Sequence, residues 1–218
     1  MIHFHQVTKK YSTRGVQKTV LDNISVTFAK GETIGILGKN GAGKSTLLRL
    51  ASGTEAPTKG RIRHKGSVSW PLGLQGGFQG SLTGRQNVNF VARLYGHGDR
   101  VDEIAAYVQS FSELGDYYDA PVKSYSSGMR SRLGFALSMA FHFDFYIVDE
   151  ITAVGDMSFK SKSAKAFKEL QGKSGILFVS HSLESVRNLC TQAYCLQDGH
   201  LHGFSSVDDA IRFYKEAA

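Results

Sequence analysis

Residues 38–45 read Gly-Lys-Asn-Gly-Ala-Gly-Lys-Ser and constrain the chain more than any other stretch, because they match the phosphate-binding pattern GxxxxGK[ST]. The apolar run at residues 33–37 precedes them, and residues 46–51 read as a helix. A glycine-rich turn before an ordinary helix is the alternative interpretation. A buried strand, a glycine loop and a helix in this order are the context in which the pattern binds phosphate. The sequence therefore predicts a nucleoside triphosphate site.

The residue types of this loop suit that chemistry. Gly41 and Gly43 can adopt positive φ and let the backbone close around an anion with no Cβ in the way. The first amides of the helix then point at the phosphates. Lys44 is predicted to reach the β- and γ-phosphates, and the Ser45 hydroxyl to complete a magnesium shell. The candidate ATP-binding residues here are Gly38, Lys39, Asn40, Gly41, Ala42, Gly43, Lys44, Ser45 and Thr46.

Two acids follow a second, largely apolar stretch at residues 143–148, in which Asp144 is the one charged residue. This run predicts a buried parallel strand, and its carboxyl end would lie beside the phosphate loop. Asp149 is then placed to orient magnesium through water, and Glu150 to polarise an attacking water. Inert acids at a strand end are the alternative, but the phosphate loop upstream favours a functional pair.

Three further positions are candidates with an open alternative. Tyr11, predicted on a loop, can stack on adenine or be a plain surface tyrosine. Ser126, Ser127 and Gly128 open a predicted helix and form either a second anion site or an ordinary cap. His181 follows the apolar run 176–179 and either contacts a γ-phosphate or is a structural histidine.

The composition predicts one domain with a subdomain, since 218 residues with 41% hydrophobic content can bury a full core. No apolar run approaches the roughly 18 residues of a membrane span, and residues 1–30 lack a signal-peptide pattern. We therefore expect a soluble or peripheral protein. Cys190 and Cys195 have no zinc or redox spacing, so buried thiols in a reducing cytoplasm are expected.

The net charge of +7 suits nucleic acid, an anionic membrane face or an anionic ligand. The basic residues are scattered, apart from clusters at residues 9–10 and 61–65. Scattered charge is typical of a solvated surface, and no motif that reads DNA or RNA is present. We expect no nucleic-acid partner.

The pattern of the whole chain predicts an α/β fold with a phosphate-loop core, an antiparallel β edge and an inserted helical subdomain. The core takes about 1–71 and 141–218, and the helical subdomain about 72–140. Predicted strands cover 1–7, 20–28, 33–37, 60–64, 67–70, 143–149 and 176–179, with a hairpin at 192–196 and 201–204. Predicted helices cover about 84–95, 100–114 and 128–140, and a final helix runs to about 216. Residues 71–80 contain four glycines and predict an unstructured connection.

Taken together, these motifs resemble the ATP-binding subunits of ABC transporters over nearly the whole chain. Residues 38–45 match the Walker A motif, and residues 145–149 with Glu150 match Walker B and its catalytic glutamate. Residues 126–129 match the signature motif, and residues 151–156, with Gly155 and Asp156, match the D-loop. The resemblance makes Tyr11 the adenine-stacking aromatic and His181 the switch histidine.

Two positions depart from the family pattern. The signature reads Ser-Ser-Gly-Met, so that Ser127 replaces its first glycine and Met129 its glutamine. The glutamine of the family's Q-loop is missing at residues 72–74. Gln75 and Gln79 are the nearby candidates for its contact with magnesium.

Within the family, residues 69–73, 78–85, 125–134 and 153–156 resemble capsular polysaccharide exporters of Gram-negative bacteria. The similar O-antigen exporters usually carry an added carbohydrate-binding domain, for which a chain that ends at residue 218 has no room. The resemblance implies an ATP hydrolase using ATP and Mg²⁺ at the cytoplasmic face of the inner membrane. It also implies a homodimer that sandwiches two ATP molecules, a membrane permease docked near residues 71–80, and periplasmic or outer-membrane export components reached through that permease.

Other classes remain open at this point. O-antigen exporters, teichoic-type exporters and small-solute importers all contain an ATPase subunit of this type. A soluble ABC ATPase usually has two such domains or a coiled-coil insertion, and a phosphate-loop kinase lacks the signature helix and the switch histidine.

Overall fold

The computed structural model describes residues 1–13, 15–72, 77–149, 157–180 and 182–217. The strands are β1 Ile2–Thr13, β2 Val16–Phe28, β3 Thr33–Leu37, β4 Lys59–His64, β5 Val68–Leu72, β6 Phe145–Asp149, β7 Gly175–Val179, β8 Gln192–Gln197 and β9 His200–Phe204. The helices are α1 Lys44–Ala51, α2 Gly84–Leu94, α3 Val101–Ser112, α4 Ser127–Ala140, α5 Met157–Leu170, α6 Leu183–Leu189 and α7 Val207–Glu216.

The described residues fall into two compact units. The core unit lies within Met1–Pro71, Phe143–Ile151 and Lys168–Ala218, and the helical unit lies within Leu72–His142 and Thr152–Phe167. Among the described residues, no helix combines the length and the apolar character that crossing a membrane requires.

Two sheets build the core unit. A six-stranded sheet has the order β5-β6-β7-β3-β8-β9, in which β6, β7, β3 and β8 run parallel and β9 returns antiparallel. A three-stranded antiparallel sheet has the order β2-β1-β4. The predicted α/β class with antiparallel strands at its edge is confirmed.

The parallel strands are buried because their sequences are almost wholly apolar. Every residue of β3 and β7 is buried, as are the first four residues of β6. Side chains from both sheets and α1 join in one hydrophobic cluster. Its members include Ile2, Phe4, Leu21, Phe28, Ile34, Ile36, Leu47, Leu50, Phe145, Ile147, Leu177 and Val179.

β1 is longer than predicted, because a bulge interrupts the alternation of apolar and polar residues from which its length was predicted. Ile2 and Phe4 face the core as predicted, but Gln6 adopts a φ of 49° and the pairing with β2 shifts register before Val7. The bulge returns Val7 to the buried face. The strand then continues to Thr13, so the predicted end at residue 7 was wrong.

The hairpin formed by β8 and β9 is confirmed. Its strands are joined by Asp198 and Gly199, with φ values of 49° and 81°. Two successive residues at positive φ make the turn whose twist matches the strands on either side.

Cys195 of β8 is buried as predicted, whereas Cys190 keeps part of its surface exposed. Burial raises the pKa of the Cys190 thiol to about 12.

The helical unit contains α2, α3 and α4, whose ends agree with the predicted helices to within two residues. α2 starts with a capping box, in which Thr83 and Gln86 satisfy each other's backbone amides. Phe111 of α3, Phe135 of α4 and Phe159 of α5 form a cluster of aromatic rings, with centroids 5.9–6.2 Å apart. This cluster ties the part of α5 in the helical unit to α3 and α4.

The pairing of β6 with β7 yields a test of the core. Phe145 lies directly opposite Gly175, and a Cβ on Gly175 would overlap the Phe145 ring. Because overpacking a core costs about 1–3 kcal/mol, Gly175→Ala should lower the melting temperature by roughly 2–10 °C for a chain of this size. Gly98→Ala is the matched control, since a Cβ there meets nothing within 4 Å. Thermal unfolding by circular dichroism measures both, and equal melting temperatures would contradict this packing.

Candidate functional site

The phosphate loop leaves the carboxyl end of β3 and runs into α1. Gly43 is the N-cap of α1, which begins at Lys44. Serine or threonine side chains cap α2, α4, α6 and α7, whereas among the described residues no side chain caps α1, and its first turn holds no acid. The first amides of α1 and the positive end of its dipole are therefore left for an anionic ligand.

The positive φ predicted for two loop glycines is confirmed, with 79° at Gly41 and 107° at Gly43. A Cβ on Gly43 would lie 2.7 Å from Cγ1 of Val20, whereas a Cβ on Gly41 would meet nothing within 4 Å. Gly43 is thus required both by its conformation and by the close approach of β2. Gly41 is required by its conformation alone.

Lys44 extends its side chain into the curve of the loop. Its ammonium donates hydrogen bonds to the carbonyl oxygens of Gly38 at 2.6 Å and Lys39 at 2.9 Å. The residue is only 8% exposed, so the loop carbonyls solvate a largely buried cation. A cation held at the centre of a phosphate loop is the arrangement predicted for contact with phosphate oxygens.

Ser45 and Asp149, the two residues predicted to share magnesium, lie together in the core unit. The Ser45 hydroxyl donates to Oδ2 of Asp149 at 3.4 Å. They meet because β6, β7 and β3 are parallel neighbours, so that their carboxyl ends share one edge of the sheet. A hydroxyl and a carboxylate are oxygen ligands of the kind that Mg²⁺ takes, with waters and phosphate oxygens filling the remaining positions.

A cavity of about 320 Å³ covers this edge. It is lined by Val20, Asn40, Gly41, Gly43, Lys44, Ser45, Thr46, Asp149 and Val179. Loop glycines, a cation, two hydroxyls and a carboxylate thus surround one space at the amino end of α1. The arrangement is suited to a polyphosphate with its magnesium ion.

Tyr11 lies in β1, opposite Lys18 of β2, so its predicted loop position was wrong. Its hydroxyl donates to Oε2 of Glu55 at 2.8 Å and accepts from Nη2 of Arg49 at 3.1 Å. The Thr46 hydroxyl, which belongs to the phosphate cavity, lies 3.4 Å from the Tyr11 hydroxyl. Tyr11 is therefore placed beside the cavity and in contact with α1.

Charge balance around Glu55 stabilises this arrangement. Burial disfavours its carboxylate, but hydrogen bonds from Lys9, Arg49 and Tyr11 outweigh burial and lower the pKa of Glu55 to about 2. Lys9 Nζ lies 2.8 Å from Oε1 of Glu55 and 5.1 Å from the centre of the Tyr11 ring. The carboxylate is therefore ionised throughout the neutral range.

The family model described as ABC transporter matches residues 21–153, which include the phosphate loop and Asp149. The chain belongs to the ABC transporter family. It is accordingly an ATP-binding protein that hydrolyses ATP.

Relatives among ABC proteins match the chain from end to end. It is 49% identical to the polysialic acid transport ATP-binding protein KpsT of Escherichia coli, over 99% of this chain and 96% of KpsT. It is 48% identical to the capsule polysaccharide export ATP-binding protein CtrD of Neisseria meningitidis serogroup B, over 98% of each chain. The O-antigen export system ATP-binding protein RfbB of Klebsiella pneumoniae is 39% identical, over 98% of this chain and 88% of RfbB.

Solved structures of ABC proteins share the fold. The dimeric post-hydrolysis state of the ATP-binding cassette MJ0796, bound to ADP and Pi, superposes with a TM-score of 0.80 over 93% of this chain and 98% of that chain. The sequence identity is 21%, so the likeness concerns the fold alone. It agrees with the predicted phosphate-loop core with its helical subdomain.

The residues predicted to form the signature motif lie at the start of α4 in the helical unit. Ser126 is the N-cap, and its Oγ accepts a hydrogen bond from the Met129 amide at 3.2 Å. Ser126 and Ser127 are exposed, and Gly128 is partly exposed. The serine cap that the sequence allowed is present, and it leaves the tip of the helix open to solvent.

The remaining predicted residues are less completely placed. Gln79 is exposed in the helical unit, where its backbone amide donates to Oδ1 of Asn87 at 2.8 Å. Gln75, Glu150, Gly155, Asp156 and His181 lie outside the residues that the structure describes. Their roles stay predictions.

Sequence reasoning missed Arg49 and Glu55. Arg49 follows Thr46 by three residues, which places the two on one face of a helix, so a helical pattern could have drawn attention to it. Glu55 lies in the turn after α1, and no local pattern brings it to Tyr11. Only the folded chain shows that both residues hold the Tyr11 hydroxyl.

Lys44 provides the direct test of this ATP site. Lys44→Ala removes a charged hydrogen-bond donor, which contributes about 1.5–3 kcal/mol, so ATP affinity should fall by roughly 10- to 150-fold and hydrolysis should be abolished. Fluorescent ATP titration and phosphate release measure the two effects. Lys173→Ala, at an exposed lysine, is the control and should change neither. An unchanged hydrolysis rate in Lys44→Ala would contradict the assignment.

Proposed function

We propose that this chain is the ATPase subunit that powers export of a capsular polysaccharide across the inner membrane. The observation that carries the proposal is its identity of 48–49% to KpsT and CtrD over nearly the full length of each chain. Identity to the O-antigen protein RfbB is 39%. The fold is common to the whole family, so the polymer is inferred from these relatives and not from a sugar site in this chain.

ATP is bound with Mg²⁺ in this proposal. Lys44 and the amides at the start of α1 hold the β- and γ-phosphates, and Tyr11 stacks on adenine. Ser45 would bind Mg²⁺ and Asp149 would orient it through water, and the ion would offset negative charge on the phosphates while the γ-phosphoryl group passes to water. The distance of 3.4 Å between the Ser45 hydroxyl and Oδ2 of Asp149 supports a magnesium site shared by these two residues.

Glu150 is the proposed base for hydrolysis. It follows Asp149 directly in the sequence, and Asp149 ends β6 and lines the cavity at the phosphate loop. A carboxylate there accepts a proton from the attacking water, so that the water becomes a better nucleophile. His181 follows Ser180 at the end of β7 and is proposed to contact the γ-phosphate. Once hydrolysis removes the γ-phosphate, His181 would lose that contact, and the local change could alter the conformation of the protein.

The active form is a head-to-tail homodimer in this proposal. Each ATP lies between the phosphate loop of one chain and Ser126, Ser127 and Gly128 of the other, with Gly155 and Asp156 of the D-loop at the same interface. The open tip of α4 and the dimeric structure of MJ0796 support this assembly. Two identical sites related by a two-fold axis follow from such an arrangement.

The membrane permease is proposed to dock on the helical unit, near residues 71–80. A cavity of about 500 Å³ there is lined by Gly77, Phe78, Gln79, Leu82, Asn87 and Phe90. Phe90 is 59% exposed and Leu94, one helical turn further along α2, is 68% exposed. Exposed apolar side chains beside a cavity are typical of a protein interface. Docking holds the ATPase at the cytoplasmic face and links it, through the permease, to periplasmic and outer-membrane export components.

Replacing the proposed base separates chemistry from binding. Glu150→Gln should slow hydrolysis by about 10²- to 10⁴-fold while ATP still binds, so that a closed dimer accumulates. Size-exclusion chromatography with ATP and Mg²⁺ detects the dimer, and phosphate release gives the rate. Glu169→Gln, at an exposed residue of α5, is the matched control. A monomeric Glu150→Gln variant with full activity would rule out this role.

The transported substrate is tested in the cell from which the chain comes. Lys44→Ala should leave the polymer synthesised but trapped in the cytoplasm, because the permease receives no work from ATP. Surface and intracellular polysaccharide are measured by immunoblot of whole and lysed cells. If surface polysaccharide stayed normal and uptake of a small solute failed, the proposed role in export would have to be replaced by a role in import. Purification without any membrane protein would instead favour a soluble ABC ATPase.

A further inference from the structure

We propose that Arg49 and Glu55 are positioning residues that hold Tyr11 in place for the adenine base, and we call these two residues the Tyr11 clamp. The inference rests on the proposed stacking of Tyr11 on adenine and deepens it. In this inference, part of the affinity of the site for adenine depends on two side chains that themselves need not touch the nucleotide.

The hydroxyl of Tyr11 has both of its hydrogen-bonding roles fixed. It donates to Oε2 of Glu55 at 2.8 Å and accepts from Nη2 of Arg49 at 3.1 Å. Nε of Arg49 donates to the same oxygen of Glu55 at 2.9 Å. The three groups thus form a closed ring of hydrogen bonds, in which two of the three partners are charged. Charge-assisted bonds of this kind are stronger and more directional than neutral ones.

Lys9 adds a second cation to the clamp. It pairs with the other carboxylate oxygen of Glu55 and lies over the Tyr11 ring. The Lys9 and Glu55 side chains are 13% and 21% exposed, so solvent screens this pair less than a pair on an open surface. Tyr11 itself remains partly exposed, which the proposed stacking requires.

The clamp also joins the base to the phosphates. Nη2 of Arg49 donates to the Thr46 hydroxyl at 3.2 Å, and Thr46 lines the phosphate cavity. One guanidinium therefore contacts the residue that stacks on adenine and a residue of the phosphate site. Arg49 therefore reinforces the direct approach of the Tyr11 and Thr46 hydroxyls, which lie 3.4 Å apart.

A tyrosine held in this way loses little freedom when the base binds. A tyrosine without the clamp would have to be ordered by the nucleotide, at a cost in affinity. The clamp should therefore change the affinity for adenine nucleotides and leave the chemical step unchanged. It should also leave unchanged the affinity for a ligand that has phosphates but no base.

The experiment compares Tyr11→Ala, Tyr11→Phe and Glu55→Gln in the full chain, with KM and kcat for ATP as readouts. Tyr11→Ala removes the stacking ring and should raise KM by roughly 5- to 100-fold. Tyr11→Phe keeps the ring but removes its hydroxyl, and Glu55→Gln removes the negative charge of the Glu55 carboxylate. Each should raise KM by about three- to tenfold, with kcat within about twofold of the parent. The double variant Tyr11→Phe with Glu55→Gln should be no worse than the more affected single variant, because both remove the same interaction.

Inhibition by inorganic tripolyphosphate separates positioning of the base from a general structural role. Tripolyphosphate has no base, so its inhibition constant should stay the same in all three variants. Glu103→Gln is the control, because Glu103 pairs with Arg100 at 2.8 Å on the exposed surface of the helical unit. This control should change neither constant.

The outcomes distinguish the inference from the function on which it rests. An unchanged KM in Tyr11→Ala would overturn the stacking role and the clamp together. A raised KM in Tyr11→Ala with unchanged values in both Tyr11→Phe and Glu55→Gln would overturn the clamp alone. Equal rises in KM and in the tripolyphosphate constant would show that the cluster supports the phosphate loop instead. If Glu55→Gln does not fold, Tyr11→Phe decides the question alone.

Discussion

The parallel pairing of β3 with β7, and of β7 with β6, is the constraint on which the ATP site depends. It brings the end of β3, where the phosphate loop starts, to the same edge of the sheet as Asp149 at the end of β6. Almost every side chain of these strands is buried, so a shift in register would expose apolar groups or bury polar ones. The hydrophobic core therefore fixes the distance between a hydroxyl and a carboxylate that lie more than a hundred residues apart.

Residues of β2 and β8 also pack closely against the phosphate loop. Val20 of β2 approaches Gly43 so closely that no Cβ fits, and the carbonyl oxygen of Leu196 in β8 lies 2.6 Å from where a Cβ of Gly38 would be. Inside the loop, two carbonyl oxygens solvate the Lys44 ammonium. Phosphate oxygens would add negative charge beside this largely buried cation, and charge-assisted hydrogen bonds are stronger than bonds to carbonyl groups. Packing outside the loop and charge inside it thus favour the same ligand.

The site features that the sequence predicted are those encoded over a few residues. The loop 38–45, the cap of α4 and the turn at Asp198 each depend on neighbouring residue types. The contact of Ser45 with Asp149 was also predictable, since it follows from a general rule for parallel strands. The bulge at Gln6 was not predictable, because the carbonyl group of Gln6 packs against Gly60 of another strand. The contacts that Arg49 and Glu55 make with Tyr11 were missed for the same reason, because they join β1 to α1 and to the turn after it, 38 and 44 residues further along the chain.

The substitution of Ser127 for the signature glycine leaves the chemistry of Ser126 intact. A serine hydroxyl has one proton to donate and two lone pairs to accept. In the N-cap of α4, Oγ of Ser126 accepts from the Met129 amide, and this bond fixes the direction of the side chain without using its proton. The proton remains available to a phosphate oxygen, next to the first amides of the helix. Under the proposed dimer, ATP would be bound by this donor from one chain and by Lys44 from the other. The nucleotide then stabilises the dimer by mass action, and cleavage of the γ-phosphate removes that stabilisation.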